Sequence, residues 1–198
     1  MTGTRPRRES FAERRERRAA IDDPAVVLEA AARFLEARSR SVSEVRRRLG
    51  GAGYRPDLVE GAIVRMTELG MLDDEVFARA WVESRDRARP RGERAIREEL
   101  RLKGVDRETV DIVIGERRDR ALASGGDTAD DGHTAPASAD RTAAERLIAK
   151  NAGALARVAD PRKRRQRAYA LLARHGFDPE TCRTVAATVA DAPDDGST

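Results

Sequence analysis

The sequence predicts an all-α protein, an elongated, curved array of three tandem three-helix repeats with helix-turn-helix-like character. One pattern of apolar residues recurs around Gly53, Gly104 and Gly176. The composition also favours helices over sheets, because aromatics are only 4% of the chain while Ala, Arg and Glu abound.

The repeat is read outward from each glycine. Four residues before it stand Leu49, Leu100 and Leu172, and eight before it Val45, Ile96 and Ala168. That spacing puts both on one helix face. The glycine then closes the helix, where a left-handed residue is wanted. An apolar residue follows: Tyr54, Val105 or Phe177. Next come Arg55, Asp106 and Asp178, then Pro56, Arg107 and Pro179. Asp at the N-cap and Pro at the first helical position are start signals for a second helix, and Arg55 makes the first copy a weak cap. Val59, Val110 and Cys182 complete a hydrophobic staple with the residue after glycine. Ala62–Ile63, Val113–Ile114 and Val185–Ala186 continue the stripe.

A further helix precedes each pair. Ala25–Arg38 carries Val27, Leu28, Ala31, Phe34 and Leu35 at helical spacing, and Asp74–Arg87 carries Phe77, Ala80 and Trp81. Arg141–Val158 carries Leu147, Ile148, Leu155 and Val158. Ser41 and Glu44 form a capping box. The expected organisation is therefore a basic, structureless arm over 1–22, repeats over 23–70, 71–122 and 141–190, an acidic Gly/Ser/Ala linker over 123–140 and an acidic tail over 191–198.

Several function classes are disfavoured by composition. One cysteine forbids an intramolecular disulfide, and two histidines leave little for a metal site or a His-dependent triad. Gly50–Gly53 lacks the Lys-Ser/Thr of a phosphate cradle. Asp73, Asp74 and Glu75 stand where a helix dipole favours negative charge, so capping explains them. His133 lies in the linker and His175 in a last helical turn, neither with a ligand companion; Cys182 and Trp81 read as core. No catalytic residue, metal or cofactor is expected. No apolar run reaches the length of a membrane span, so no membrane association is expected and the cytoplasm is the expected compartment.

The remaining signal is basic charge. Lys and Arg total 39 against 35 acids, a net charge of +4, yet the pI is about 9.8. Arg46, Arg47 and Arg48 lie in the second helix of the first repeat. Arg85, Arg87, Arg89, Arg91, Arg94 and Arg97 straddle the matching junction of the second. Arg162, Lys163, Arg164, Arg165 and Arg167 open the same helix in the third. Cations at a helix N-terminus oppose the dipole, a local cost that an anionic partner would offset.

The pieces RFLEAR at 33–38, VSEVRRRLGGAGYRPDLVEGAIVRMTELGMLDDEVFARAWVESR at 42–85 and RGERAIREELRLKGVDRETV at 91–110 together resemble the RecX family of RecA regulators. The order and spacing of Gly70–Asp74, Phe77-Ala78, Arg85 and Arg94–Gly104 carry the resemblance, which spans 25–120 and, more weakly, 141–190. It implies an all-helical, non-enzymatic modulator; separately, nothing in the sequence suggests an obligate dimer, so a monomer is expected. Such proteins lie in the groove of the RecA–DNA filament, inhibit ATP hydrolysis and strand exchange, and limit filament growth; some also touch DNA. The arginines above, Arg89 excepted, and Lys163 are the expected contacts to RecA or to the phosphates of single- or double-stranded DNA. The rival expectation is a stand-alone helical DNA-binding module.

Overall fold

The computed structural model describes residues 9–124 and 138–190. They form eleven α-helices and no strand. These are α1 (Phe11–Ala19), α2 (Pro24–Glu36), α3 (Val42–Ala52), α4 (Pro56–Glu68), α5 (Asp74–Ala88) and α6 (Glu93–Leu102). There follow α7 (Arg107–Ser124), α8 (Ala139–Lys150), α9 (Ala152–Ala156), α10 (Pro161–Arg174) and α11 (Pro179–Ala190). The chain divides into two compact units, one running to Phe77 with Lys103–Val105 added, the other holding Ala78–Leu102 and the chain from Asp106.

The glycine-anchored pattern is the core. Leu49, Leu100, Leu172, Val45, Ile96 and Ala168 are all buried, as are Val59, Val110 and Cys182 at the staple position. Gly53, Gly104 and Gly176 have φ of 103°, 79° and 83°, the left-handed region that lets each chain turn leave its helix. Asp106 accepts a hydrogen bond from the Thr109 amide (2.9 Å), and Asp178 from those of Glu180 and Thr181 (both 2.9 Å). Arg55 makes no such cap bond. In the first unit α2, α3 and α4 enclose Val27, Ala31, Val45, Leu49, Val59, Ile63 and Met66. In the second, α8, α10 and α11 enclose Ala144, Leu147, Leu172, Phe177, Cys182 and Val185.

A second regularity was not legible in the sequence. The carbonyl just before each glycine lies in a last turn and lacks an intrahelical donor. Ser41 Oγ donates to the Lys103 carbonyl (2.5 Å), and the Gly92 amide to the His175 carbonyl (3.0 Å). The Arg18 guanidinium donates to the Ala52 carbonyl (3.3 Å). The donor comes each time from another helix or its cap. Those helices approach so closely that a Cβ on Gly104 would meet Ser43, one on Gly176 would meet Ala95 and one on Gly53 would meet Arg15. Acids reinforce the joints. Asp74 of α5 accepts from the Val42 amide at the start of α3 (2.9 Å). Asp140 of α8 accepts from the Glu93 amide at the start of α6 (3.0 Å).

Four expectations change. Residues 11–19, assigned above to a structureless arm, form α1, because Ser10 and Glu13 make a complete capping box. Residues 1–8 of that arm lie outside the described residues, as do 125–137 of the acidic linker with His133, and the tail 191–198. The linker's two ends, 123–124 and 139–140, belong to α7 and α8. The single helix expected over 141–158 breaks at Asn151, whose side-chain amide donates to the Leu147 carbonyl (2.8 Å). Trp81 is half-buried rather than core, because its indole N–H reaches the Glu99 carboxylate (2.8 Å) near the surface.

Candidate functional site

The structure sorts the candidate arginines by what already neutralises them. In α3, Arg46 makes a bidentate pair with Glu60 (2.6 and 2.8 Å). That hydrogen bond holds the Glu60 carboxyl below the usual glutamate range. Arg48 stacks on the Phe34 ring at 5.6 Å. Arg47 is exposed and meets no carboxylate among the described residues.

The second repeat holds most of its arginines in internal pairs. Arg85 lies over the Trp81 ring at 4.1 Å and donates to Glu99 (2.6 Å). The same carboxylate takes Arg91 at 3.6 Å and the Trp81 indole. Arg97 bridges Glu93 (2.9 Å) and Asp111. Arg87, four-fifths exposed, stands 3.9 Å from Glu83. Arg94 is exposed and has no ion pair among the described residues.

α10 differs. Asp160 caps its amino end, accepting from the amides of Arg162 (2.8 Å) and Lys163 (3.3 Å). Arg164 turns back to the Val158 carbonyl (3.0 Å). Arg162, Lys163, Arg165 and Arg167 are exposed and pair with no carboxylate among the described residues. A paired guanidinium must break a bond before it meets a new anion, whereas these four exchange only water. The field of the third repeat is therefore available to a partner in a way that the field of Arg46 or Arg97 is not.

Three residues that sequence reasoning missed join this run. Gln166 and Tyr169 of α10 and Arg183 of α11 line, with Arg162 and Arg165, a cleft of about 550 Å³. The signal was present in part: Arg162, Gln166 and Tyr169 follow at i, i+4 and i+7, one face of a helix. Arg183 is eighteen residues beyond Arg165 and is brought there only by folding. Tyr169 also lines a second cleft of about 520 Å³ with Arg94, Arg97 and Arg118. The acids there are already engaged: Glu93 with Arg97 and Arg118, Asp140 with Arg117, Asp178 with the α11 amides. A third cleft, of about 470 Å³, places Arg18, Arg33, Arg47 and Arg48 beside Phe34 and Tyr54.

Arg117 was also missed, and its role is structural. It is 3% exposed and grips Asp86 (2.9 Å) and Asp140 (2.6 Å). Burial works against its charge, but the two carboxylates more than offset it. Burial likewise pushes the Asp140 carboxyl above the usual aspartate range. Cys182 is a fully buried thiol raised by burial, and His175 Nδ1 meets the Leu171 carbonyl (2.9 Å). Among the described residues no group of three His, Cys, Asp or Glu could hold a metal ion, and no helix is long and apolar enough to cross a membrane.

Comparisons with known proteins follow the same division of the chain. Residues 28–66 match the family model for the first three-helix domain of RecX, 73–114 that for the second and 139–185 that for the third. The regulatory protein RecX of Mycobacterium ulcerans is 33% identical over 159 residues, 80% of this chain and 82% of that one. That of Mycolicibacterium vanbaalenii is 42% identical over 94 residues, so the chain spans about half (51%) of its length. In fold, the crystal structure of RecX from Lactobacillus salivarius matches with a TM-score of 0.65 at 18% identity, covering 85% of this chain and 97% of that one.

Proposed function

The chain belongs to the RecX family of regulatory proteins, and from that premise we propose that it regulates the RecA recombinase. In this reading it binds as a monomer in the groove of RecA–DNA filaments, in the cytoplasm. There it limits ATP hydrolysis, strand exchange and filament growth without catalysing a reaction itself. The observation that carries the reading is the unpaired cationic run Arg162, Lys163, Arg165 and Arg167. Arg47 and Arg94 add single free charges from the other two repeats. An acidic protein groove or a line of phosphates suits such charges, and several weak contacts on one chain add through effective concentration.

The test is RecA ATPase on single-stranded DNA with this protein titrated in. Inhibition is expected at far fewer molecules of this protein than of RecA. Replacing Arg162, Lys163, Arg165 and Arg167 together by Ala should weaken inhibition without changing the melting temperature. No inhibition, or a requirement for one molecule per RecA, contradicts the reading.

The second reading is a DNA-binding module that acts without RecA. Tyr169 set among free arginines favours it. The RecA ATPase separates the two, since a module of this kind binds DNA with a steep salt dependence but leaves the recombinase uninhibited at substoichiometric amounts.

A further inference from the structure

We infer that the α10–α11 cleft is a binding site for single-stranded nucleic acid, in which Tyr169 stacks on one base while Arg162, Arg165 and Arg183 hold the flanking phosphates. This rests on the reading above and deepens it by giving the DNA contact a place on the third repeat, a stacking ring and a preference for single strands. Its test needs no RecA, so the two can fail separately.

The first ground is charge. Arg162, Arg165 and Arg183 converge from two helices on one cleft lined by no carboxylate, and none of the three has an ion pair among the described residues. The second ground is the ring. Tyr169 is 37% exposed, and no guanidinium stacks on it among the described residues, whereas Phe34, Tyr54 and Trp81 each carry one. An open aromatic face between cations is what a flexible strand uses, because every base has a π-face and every link a phosphate. The third ground is continuity. The ring is shared with the second cleft, where Arg94 is free and the acids are tied up internally. A strand leaving the ring on that side thus meets a further cation and no uncommitted carboxylate.

Other anions fit less well. A duplex keeps its bases stacked inside and offers the ring nothing to cover. An acidic peptide would satisfy the arginines but leave the tyrosine idle. Gln166, beside the ring, presents both a donor and an acceptor to a base edge. The low aromatic content limits the site to one stacked base, so affinity should be modest and indifferent to sequence.

The experiment uses the full chain with no RecA present. A fluorescent oligothymidylate, a duplex of equal length and a polyglutamate peptide are titrated separately, the last two also as competitors. The strand should bind more tightly than either. Tyr169→Ala should weaken strand binding roughly 5- to 100-fold with little change in salt slope, and Tyr169→Phe, which keeps the ring, should recover most of it. Arg165→Ala with Arg183→Ala should instead lower the log–log salt slope by about 1.4. In parallel, a 5-iodouracil strand is photocrosslinked to the wild-type chain and the adduct mapped by peptide mass; the expected adduct is on Tyr169. This arm decides alone if Tyr169→Ala melts early. The proposal is overturned if the wild type ignores the strand or binds the duplex as tightly. It is equally overturned if Tyr169→Ala folds and binds like wild type, if polyglutamate displaces the strand as well as oligothymidylate does, or if the adduct maps elsewhere.

Discussion

Arg117 and Glu44 show how single charged groups hold this fold. Arg117 is buried between Asp86 and Asp140, and Asp140 in turn caps the start of α6. Removing the guanidinium leaves two carboxylates with no counter-charge, so Arg117→Ala should cost about 3–5 kcal/mol in urea unfolding. Glu44 answers to pH. Burial raises its carboxyl, but Lys103, the Ser41 amide and Arg38 outweigh burial and hold it below the usual glutamate range. A group with a depressed folded pKa contributes stability above its unfolded value, about 4.3, and loses it as pH falls through the folded one. Glu44→Gln should therefore flatten the acid limb of stability below about pH 4.3. Near neutrality it should cost about 1 kcal/mol through the weakened capping box. Neither Arg117 nor the division between paired and free arginines could be read from the sequence. Arg117 meets Asp86 at a separation of 31 residues, and Arg46 meets Glu60 at 14. Such pairings have no periodic signature.

At the scale of helices and turns the sequence was far more transparent. The offsets from Gly53, Gly104 and Gly176 name core positions correctly, because staple, helix stripe and left-handed closure are each local rules with fixed spacing. α1 escaped notice because it buries no residue and so has no apolar stripe to detect; only Ser10 and Glu13 marked its start. The break at Asn151, where the side-chain amide bonds back to the Leu147 carbonyl, left the apolar spacing intact. Two substitutions probe the turns. Gly104→Val puts a β-branched residue at φ 79° and its Cβ against Ser43, so the backbone strain alone should cost about 1–3 kcal/mol. Arg55→Ser supplies the cap that α4 lacks. It sacrifices exposed pairs with Asp22 and Asp57 that contribute little, so a net gain of about 0.5–1 kcal/mol is expected by thermal melting.

For the molecule as a whole, a net charge of +4 conceals an uneven distribution of usable charge. Cations engaged in α3 and α6 serve the fold, and Arg162, Lys163, Arg165 and Arg167 of α10 face outward. Replacing Arg46 by Ala should therefore leave filament association close to wild type while the four-residue change in α10 abolishes much of it; co-sedimentation with RecA filaments measures both. The joints have a consequence for how the chain can be subdivided. A fragment cut at 23–70 forfeits Asp74, which caps α3, the Lys103 acceptor of Ser41 and the Arg18 donor to Ala52. Its circular dichroism should show frayed helices, whereas a span from Ser10 to Val105 retains every one of those bonds. The repeats are thus spelled as separate words but punctuated by one another, and an engineer who lengthens, shortens or shuffles them must carry the borrowed donors along.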